Sequence, residues 1–352
     1  MTRRVATLTV ASVLLIILTS VAFLLPVPYV TMEPGPTLDT LGESDNEPLI
    51  EFGPGVKTYE TTGSLSLTTV SVTRPGAAVK LSQAFTAWFD PDSAIVPRDL
   101  IYPPEQSASE AEEEGVAEMS GSQQASEVAG LIEAGYDVKS WVEVSTVVPD
   151  GPADGSLQPA DRIVSVDGEK VSTLEAVVSA VTARDPGDSV RLVVRRDGSS
   201  RTIDITTVAD SEDADVPRIG VGLAAAYMSA VEVVYNVGRR ISGPSAGTMF
   251  ALAIFDKLTP GSLTGGQAIA GTGEISADGT VMSIGGIQQK ISAAYEAGAT
   301  IFLVPADNCE QAVGADVDLD AIMLVEIETL HEAVTSLEAL VADPQAAVPT
   351  CT

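Results

Sequence analysis

Histidine is almost missing from this sequence: His331 stands alone in 352 residues. Cysteine is nearly as scarce, with only Cys309 and Cys351. A zinc site would have to be assembled from these three and carboxylates, and no metal-ligand spacing occurs among them. No metal and no cofactor is therefore expected. Basic residues are also few. Nineteen Lys and Arg face 49 Asp and Glu, a formal net charge of −30. That balance repels phosphate backbones and argues against nucleic-acid binding. There is no G-x-x-x-x-G-K-[ST] loop, so the sequence carries no P-loop ATPase. Apolar residues, by contrast, make up 45% of the total. At this length they suffice for two or three domains and at least one sizeable core.

Charge is absent from Val5 to Leu25, a mostly apolar run. At about 1.5 Å of rise per residue it is long enough to cross a bilayer. Arg3 and Arg4 favour a cytoplasmic N-terminus, residues 1–4, and send the body across the membrane. Ser20-Val21-Ala22 is a tolerable signal-peptidase site, but the run continues through Phe23, Leu24 and Leu25. An uncleaved anchor over 5–25 is the expectation, with a single-pass protein whose body is extracytoplasmic. In an oxidising space Cys309 and Cys351 pair or stay free thiols; the sequence leaves both open.

Residues 26–48, rich in Pro, Gly and acids, read as a stalk. Alternating β-branched stretches such as "LSLTTVSVTRP" predict strands after Leu49, followed by the helical pattern "AAVKLSQAFTAWF". Residues 103–118 form an acidic, low-complexity stretch that reads as a solvated loop. "SQQASEVAGLIEAG" has helical spacing and stops at Gly135. A compact unit follows over 136–208. It runs from strand-like "WVEVSTVV" through "GPADGSLQPADRIVSVDG" to a helix opened by a Ser172-x-x-Glu175 capping box. It closes as a hairpin through Asp197-Gly198. An acidic linker, 209–217, leads to a last domain, 218–342, ending in an amphipathic helix and a short tail, 343–352.

"SGPSAGTMFALAIFDKL" places Ser245 in front of a helical run (Ala246, Met249, Phe250, Ala253). Free backbone N–H groups and the positive dipole end gather there, as a tetrahedral oxyanion requires. Gly243, Pro244, Ala246 and Gly247 shape the turn and let a peptide approach. The ordinary alternative is a helix cap. A serine also needs a base. G-x-S-x-G is the nucleophile elbow of α/β-hydrolases, which would call on His331. Yet the residues before Ser245 lack an apolar strand, and His331 lies among Glu328 and Glu332 on a helical face. Two lysines remain downstream. Lys257 falls at the end of the helix opened by Ser245, where it complements the dipole. Lys290, in "SIGGIQQKISAAYEAGA", shares its face with Ile287, Ile291 and Ala294. A lysine there either snorkels to water or loses its charge.

The unit 136–208 resembles a bacterial PDZ domain. That resemblance implies capture of extended peptides by strand addition, with Gly135-Tyr136-Asp137-Val138 as the carboxylate loop. Asp137 departs from what a carboxylate site wants, and a rigid spacer or gate is the other reading. The last domain resembles the proteolytic domain of the Lon family. The match runs through Gly-Pro-Ser-Ala-Gly (243–247), Thr-Gly-Glu-Ile (272–275) and Asp-Gly-x-Val-x-x-Ile-Gly-Gly-Ile-x-x-Lys (278–290). It continues through Ala-Ala-x-x-Ala-Gly (293–298) and Val-Pro-Ala-Asp-Asn (304–308). It implies a Ser-Lys dyad with Ser245 as nucleophile, Lys290 as general base and Thr272 orienting the lysine amine. Ser242 stands where many Lon enzymes carry an acid.

With its apolar N-terminal run, the chain resembles the membrane-anchored, PDZ-containing Lon-like proteases of Gram-positive bacteria. The implied fold is α+β: a Lon-type domain built from residues 49–135 and 218–342, with a PDZ-like β-rich domain inserted and one transmembrane helix in front. The implied activity is ATP-independent serine endopeptidase. Its partners would be protein or peptide substrates and, through the helix, the membrane; homo-oligomer formation stays open. A non-catalytic PDZ scaffold is the rival class, and a Ser-Asp-His hydrolase using His331 the third.

Overall fold

The computed structural model describes residues 3–44, 46–103, 106–238 and 241–352. Met1 and Thr2 of the expected cytoplasmic segment, and Pro104 and Glu105 of the expected acidic loop, lie outside the described residues. By contacts the chain divides into two units, 1–136 with 231–352, and 137–230.

The first unit opens with helix α1, Arg3–Leu24, none of whose residues is buried within the protein. Strand β1 follows at Tyr29–Asp39, then β2 at Ser64–Val72, helix α2 at Leu81–Trp88, strand β3 at Ala94–Pro97 and helix α3 at Ala108–Glu133. Two expectations fail here. The stalk is not a stalk, because β1 pairs antiparallel with β2 and β3. Its Pro34-Gly35-Pro36 sits where the register to β2 shifts, so the irregularity is local and pairing resumes beyond it. The acidic loop is helix from Ala108 onward. Ser107 Oγ accepts the Glu110 N–H and the Glu110 carboxylate accepts the Ser107 N–H. That reciprocal box satisfies first-turn donors, and Ala and Glu propagate the helix well. The helix ends as expected at Gly135, whose φ of +82° suits the stop.

The second unit holds strands β4 (Lys139–Val147) and β5 (Arg162–Val166), helix α4 (Leu174–Thr182), and strands β6 (Ser189–Arg196), β7 (Ser199–Thr206) and β8 (Val221–Met228). The sheet order is β7-β6-β5-β4-β8. The cap of α4 is Thr173, which accepts the Ala176 N–H, rather than Ser172. The β6–β7 hairpin turns through Asp197 and Gly198, both at positive φ, pairing Arg196 with Ser199. Val142, Val144, Ile163, Val177, Val190 and Leu192 form its core. Strand β8, expected to open the last domain, instead pairs with β4 along its whole length, from Val221 opposite Val147 to Met228 opposite Lys139. On its other side β4 pairs with β5 at Val142 and Glu143, and β8 is the last strand of the sheet order. An apolar cavity of about 490 Å³ lies between α4 and β8, lined by Val177, Val181, Val221 and Leu223.

The chain then returns to the first unit with helix α5 (Gly247–Leu258), strand β9 (Ala268–Gly271), helix α6 (Ile287–Glu296), strands β10 (Ile301–Pro305) and β11 (Met323–Ile327), and helix α7 (Leu330–Ala342). These strands complete a six-stranded sheet, order β11-β10-β9-β2-β1-β3. β9 runs parallel to both β2 and β10. Helix α6 crosses between β9 and β10 and packs on β1 and β2. Helix α5, nearly all of it buried, packs against α3. Cys309 and Cys351 form a disulfide, their Cα atoms 5.0 Å apart.

Candidate active site

Ser245 is not a helix cap. That position belongs to Ala246, which makes no side-chain cap bond. The serine sits in the turn before α5, and the turn is pinned from two sides. Its carbonyl oxygen accepts the Gly273 N–H at 3.0 Å and the Thr272 hydroxyl at 3.1 Å. From α3, the Ser122 hydroxyl donates to the Pro244 carbonyl at 2.7 Å, and the Gly115 carbonyl accepts the Gly243 N–H at 3.2 Å. Gly247 must be glycine at this crossing. A Cβ there would lie 2.8 Å from both Ile275 Cγ2 and Ser122 Oγ.

Among the proposed turn residues, Gly243 spends its N–H on Gly115, Pro244 has none, and Gly247 donates to Pro244 at 3.3 Å. Among the described residues, the N–H groups of Ser245 and Ala246 have no carbonyl partner. They lie at the positive end of α5, where a developing negative charge is stabilised.

Lys290 comes from the first turn of α6. Its amine lies 2.8 Å from Ser245 Oγ and 2.9 Å from Thr272 Oγ1. The residue is 3% exposed. Burial pushes its amine down to about 7, far below an ordinary lysine. Thr272 ties the group together, accepting from the lysine amine and donating to the Ser245 carbonyl. Asn308 holds α6 in place: its side chain accepts the Ile284 N–H at 2.9 Å and donates to the Ile284 carbonyl at 3.0 Å. That two-way clamp fixes the loop from which α6 starts.

The structure therefore brings together Ser245, Thr272 and Lys290, which lie far apart in sequence. It does not bring His331 to them. That ring is 72% exposed and pairs with Glu133 at 2.8 Å. Lys257 does more than complement a dipole, since its amine reaches the carbonyl of Leu41 at 3.2 Å. The loop 135–138 is not an open carboxylate cradle. The Gly135 and Tyr136 N–H groups donate to the Ile132 and Leu131 carbonyls and finish α3. Ser122, Gly115 and Asn308 were not foreseen as parts of the site. The Asn308 motif was visible, but its partner is a backbone loop that no side-chain pattern reveals.

Residues 236–337 match the Lon protease (S16) C-terminal proteolytic domain, and residues 127–207 match the PDZ domain. The Lon protease of Clostridioides difficile is 45% identical over 76 residues, 22% of this chain and 9% of that protein. Lon protease 2 of Bacillus subtilis is 29% identical over 180 residues, 46% of this chain and 29% of that protein. The chain thus spans less than a third of the length of either relative. Among solved structures, the PDZ domain of the SdrC-like protein from Listeria monocytogenes is 26% identical over 24% of this chain and 87% of that one, with a TM-score of 0.23.

Proposed function

We propose that this chain, which carries a Lon-type proteolytic domain and a PDZ domain, is a membrane-anchored, ATP-independent serine endopeptidase working through a Ser245–Lys290 dyad. The observation that carries the reading is the buried amine of Lys290, 2.8 Å from Ser245 Oγ and with its pKa pushed down to about 7. Near neutral pH much of it is unprotonated and able to act as a base.

The geometry supports the following steps. Lys290 Nζ takes the proton from Ser245 Oγ as Oγ bonds to the scissile carbonyl carbon. The Ser245 and Ala246 N–H groups receive the oxyanion. The Lys290 ammonium then protonates the leaving amine as the C–N bond breaks, giving an acyl-enzyme. Neutral again, Lys290 takes a proton from water, which attacks the ester and frees Ser245.

The apolar helix α1 supports anchoring, and Arg3 and Arg4 before it support a cytoplasmic N-terminus. The Cys309–Cys351 disulfide favours an oxidising, extracytoplasmic location. With no nucleotide-binding loop in the sequence, substrates would be already extended or unfolded. In the PDZ unit β8 fills one edge of β4, and β5 meets the other at Val142 and Glu143. β8 ends the sheet order and flanks the apolar cavity beside α4, so peptide selection at that edge and gating both fit this unit. The test is a gel assay on an unfolded protein without nucleotide, using wild type, Ser245→Ala, Lys290→Ala and His331→Ala. Cleavage by the wild type and His331→Ala alone is expected. Retained cleavage in Lys290→Ala with loss in His331→Ala overturns the dyad, and no cleavage by the wild type favours the scaffold.

A further inference from the structure

Of seven phenylalanines and two tryptophans in the chain, three lie exposed on or beside one short helix. Phe85 is 56% exposed, Trp88 75% and Phe89 70%, with Leu81 on the same stripe at 39%. The spacing 81, 85, 88, 89 lays them along one face of α2, while Ala84 and Ala87 on the opposite face are buried. Leu100, in the turn after β3, adds another exposed apolar side chain, 74% exposed. In water such an aromatic face is costly, and contiguous apolar patches of this kind mark contact sites.

What covers it is set by where α2 sits. Helix α1 ends at Leu24, and the very next residues are already locked to the start of α2. The Leu81 N–H donates to the Leu25 carbonyl at 2.9 Å, and Pro26–Val27 pairs with Val79–Lys80. The Phe23 ring, in the last turn of α1, meets the Phe85 ring at 6.2 Å, and Phe85 meets Phe89 at 5.0 Å. No slack segment separates the two helices.

If α1 spans a bilayer, a ring 6.2 Å from Phe23 cannot lie in bulk water. The headgroup zone on each side of the hydrocarbon is itself roughly 5–7 Å deep. Tryptophan and other aromatic rings are the side chains that settle at that depth. The chain's charge of −30 disfavours attraction to an anionic lipid surface as the driving force and favours apolar burial. Asp90 and Asp92, directly after Phe89, mark where the chain turns back to water.

We propose that α2 is an interfacial helix, its Leu81, Phe85, Trp88 and Phe89 face embedded in the outer boundary of the bilayer that α1 crosses. This rests on the anchoring reading above. Because β1 leaves the same junction and enters the catalytic sheet, a second membrane contact there fixes the tilt of that sheet on the membrane.

The chain's only other tryptophan is Trp141, in the second unit, so Trp141→Phe makes Trp88 the sole reporter. The full chain is reconstituted into phosphatidylcholine vesicles and checked for resistance to alkaline carbonate extraction. Trp88 emission is then compared in plain lipid, in lipid brominated near the glycerol end of the acyl chains, and in lipid brominated near their methyl end. The expected result is carbonate resistance, blue-shifted emission and a roughly two-fold loss with shallow bromines that exceeds the loss with deep ones. Carbonate-resistant protein with water-like Trp88 emission overturns the interfacial helix and leaves the anchor standing. Blue-shifted emission that bromines do not quench assigns the face to a second copy of the chain and also overturns it. Extraction by carbonate overturns the anchor and this inference with it.

Discussion

Replacing Lys290 by methionine should abolish catalysis and yet, at low pH, make the protein more stable. The side chain is 3% exposed, and burial holds its amine at about 7 against 10.5 in an unfolded chain. Between those values the unfolded state binds the extra proton, so the lysine's contribution to wild-type stability rises with pH through that window. Below about 7 both states are charged, and the folded one carries the full cost of burial, roughly 5 kcal/mol at pH 6. At pH 8 the cost is roughly 3 kcal/mol, and it nears zero at pH 10.5. Methionine has similar length and carries no charge to bury. It does lose the contacts to Ser245 and Thr272, about 1 kcal/mol each. The variant should therefore be more stable than wild type by about 3 kcal/mol at pH 6, with the advantage shrinking as pH rises and lost by pH 10.5. Urea unfolding of the full chain in detergent, read by pulse proteolysis, measures the difference. A gap that does not change between pH 6 and pH 10 would refute the buried, neutral lysine.

Thr272→Val removes the group that accepts from Lys290 and donates to the Ser245 carbonyl. It should lower kcat about 10- to 100-fold with KM unchanged, while Thr272→Ser restores most activity. Steady-state kinetics on an unfolded substrate decide it; equal loss in both variants argues against an orienting hydroxyl. Cys351→Ser opens a disulfide whose cysteines are 42 residues apart in sequence and should cost roughly 3–4 kcal/mol. Denaturant unfolding of wild type with and without reductant gives the same quantity independently, and no loss in either experiment would contradict the bridge.

The fold class and the two domains were legible in the sequence, and the proposed site residues were named with them. From the residues alone Ser245 read equally as a helix cap and Lys290 as a snorkelling side chain; their pairing, and the role of Thr272, came with the Lon resemblance. The walls of the site were not legible because they depend on non-local pairing. Pro34-Gly35-Pro36 looks like the end of structure, yet it marks only a shift in register between β1 and β2. The acidic run before Met119 has the composition of a solvated loop, yet the Ser107–Glu110 box starts a helix there that delivers Gly115 and Ser122 to the serine turn. β8 reads as part of the last domain because nothing in its own residues names β4 as its partner. Asn308 sat inside a quoted motif, but its role needed the Ile284 backbone beside it.

The central claim is that a lysine titrating near neutrality, and no histidine, activates Ser245. The most direct test is kcat/KM of the wild type on an unfolded substrate from pH 5 to pH 10, since this profile reports the ionisation of the free enzyme's base. The account predicts a single rise with a midpoint near the lysine's value of about 7, the same in His331→Ala as in the wild type. A rise centred near 10, or one that disappears when His331 is replaced, would contradict it.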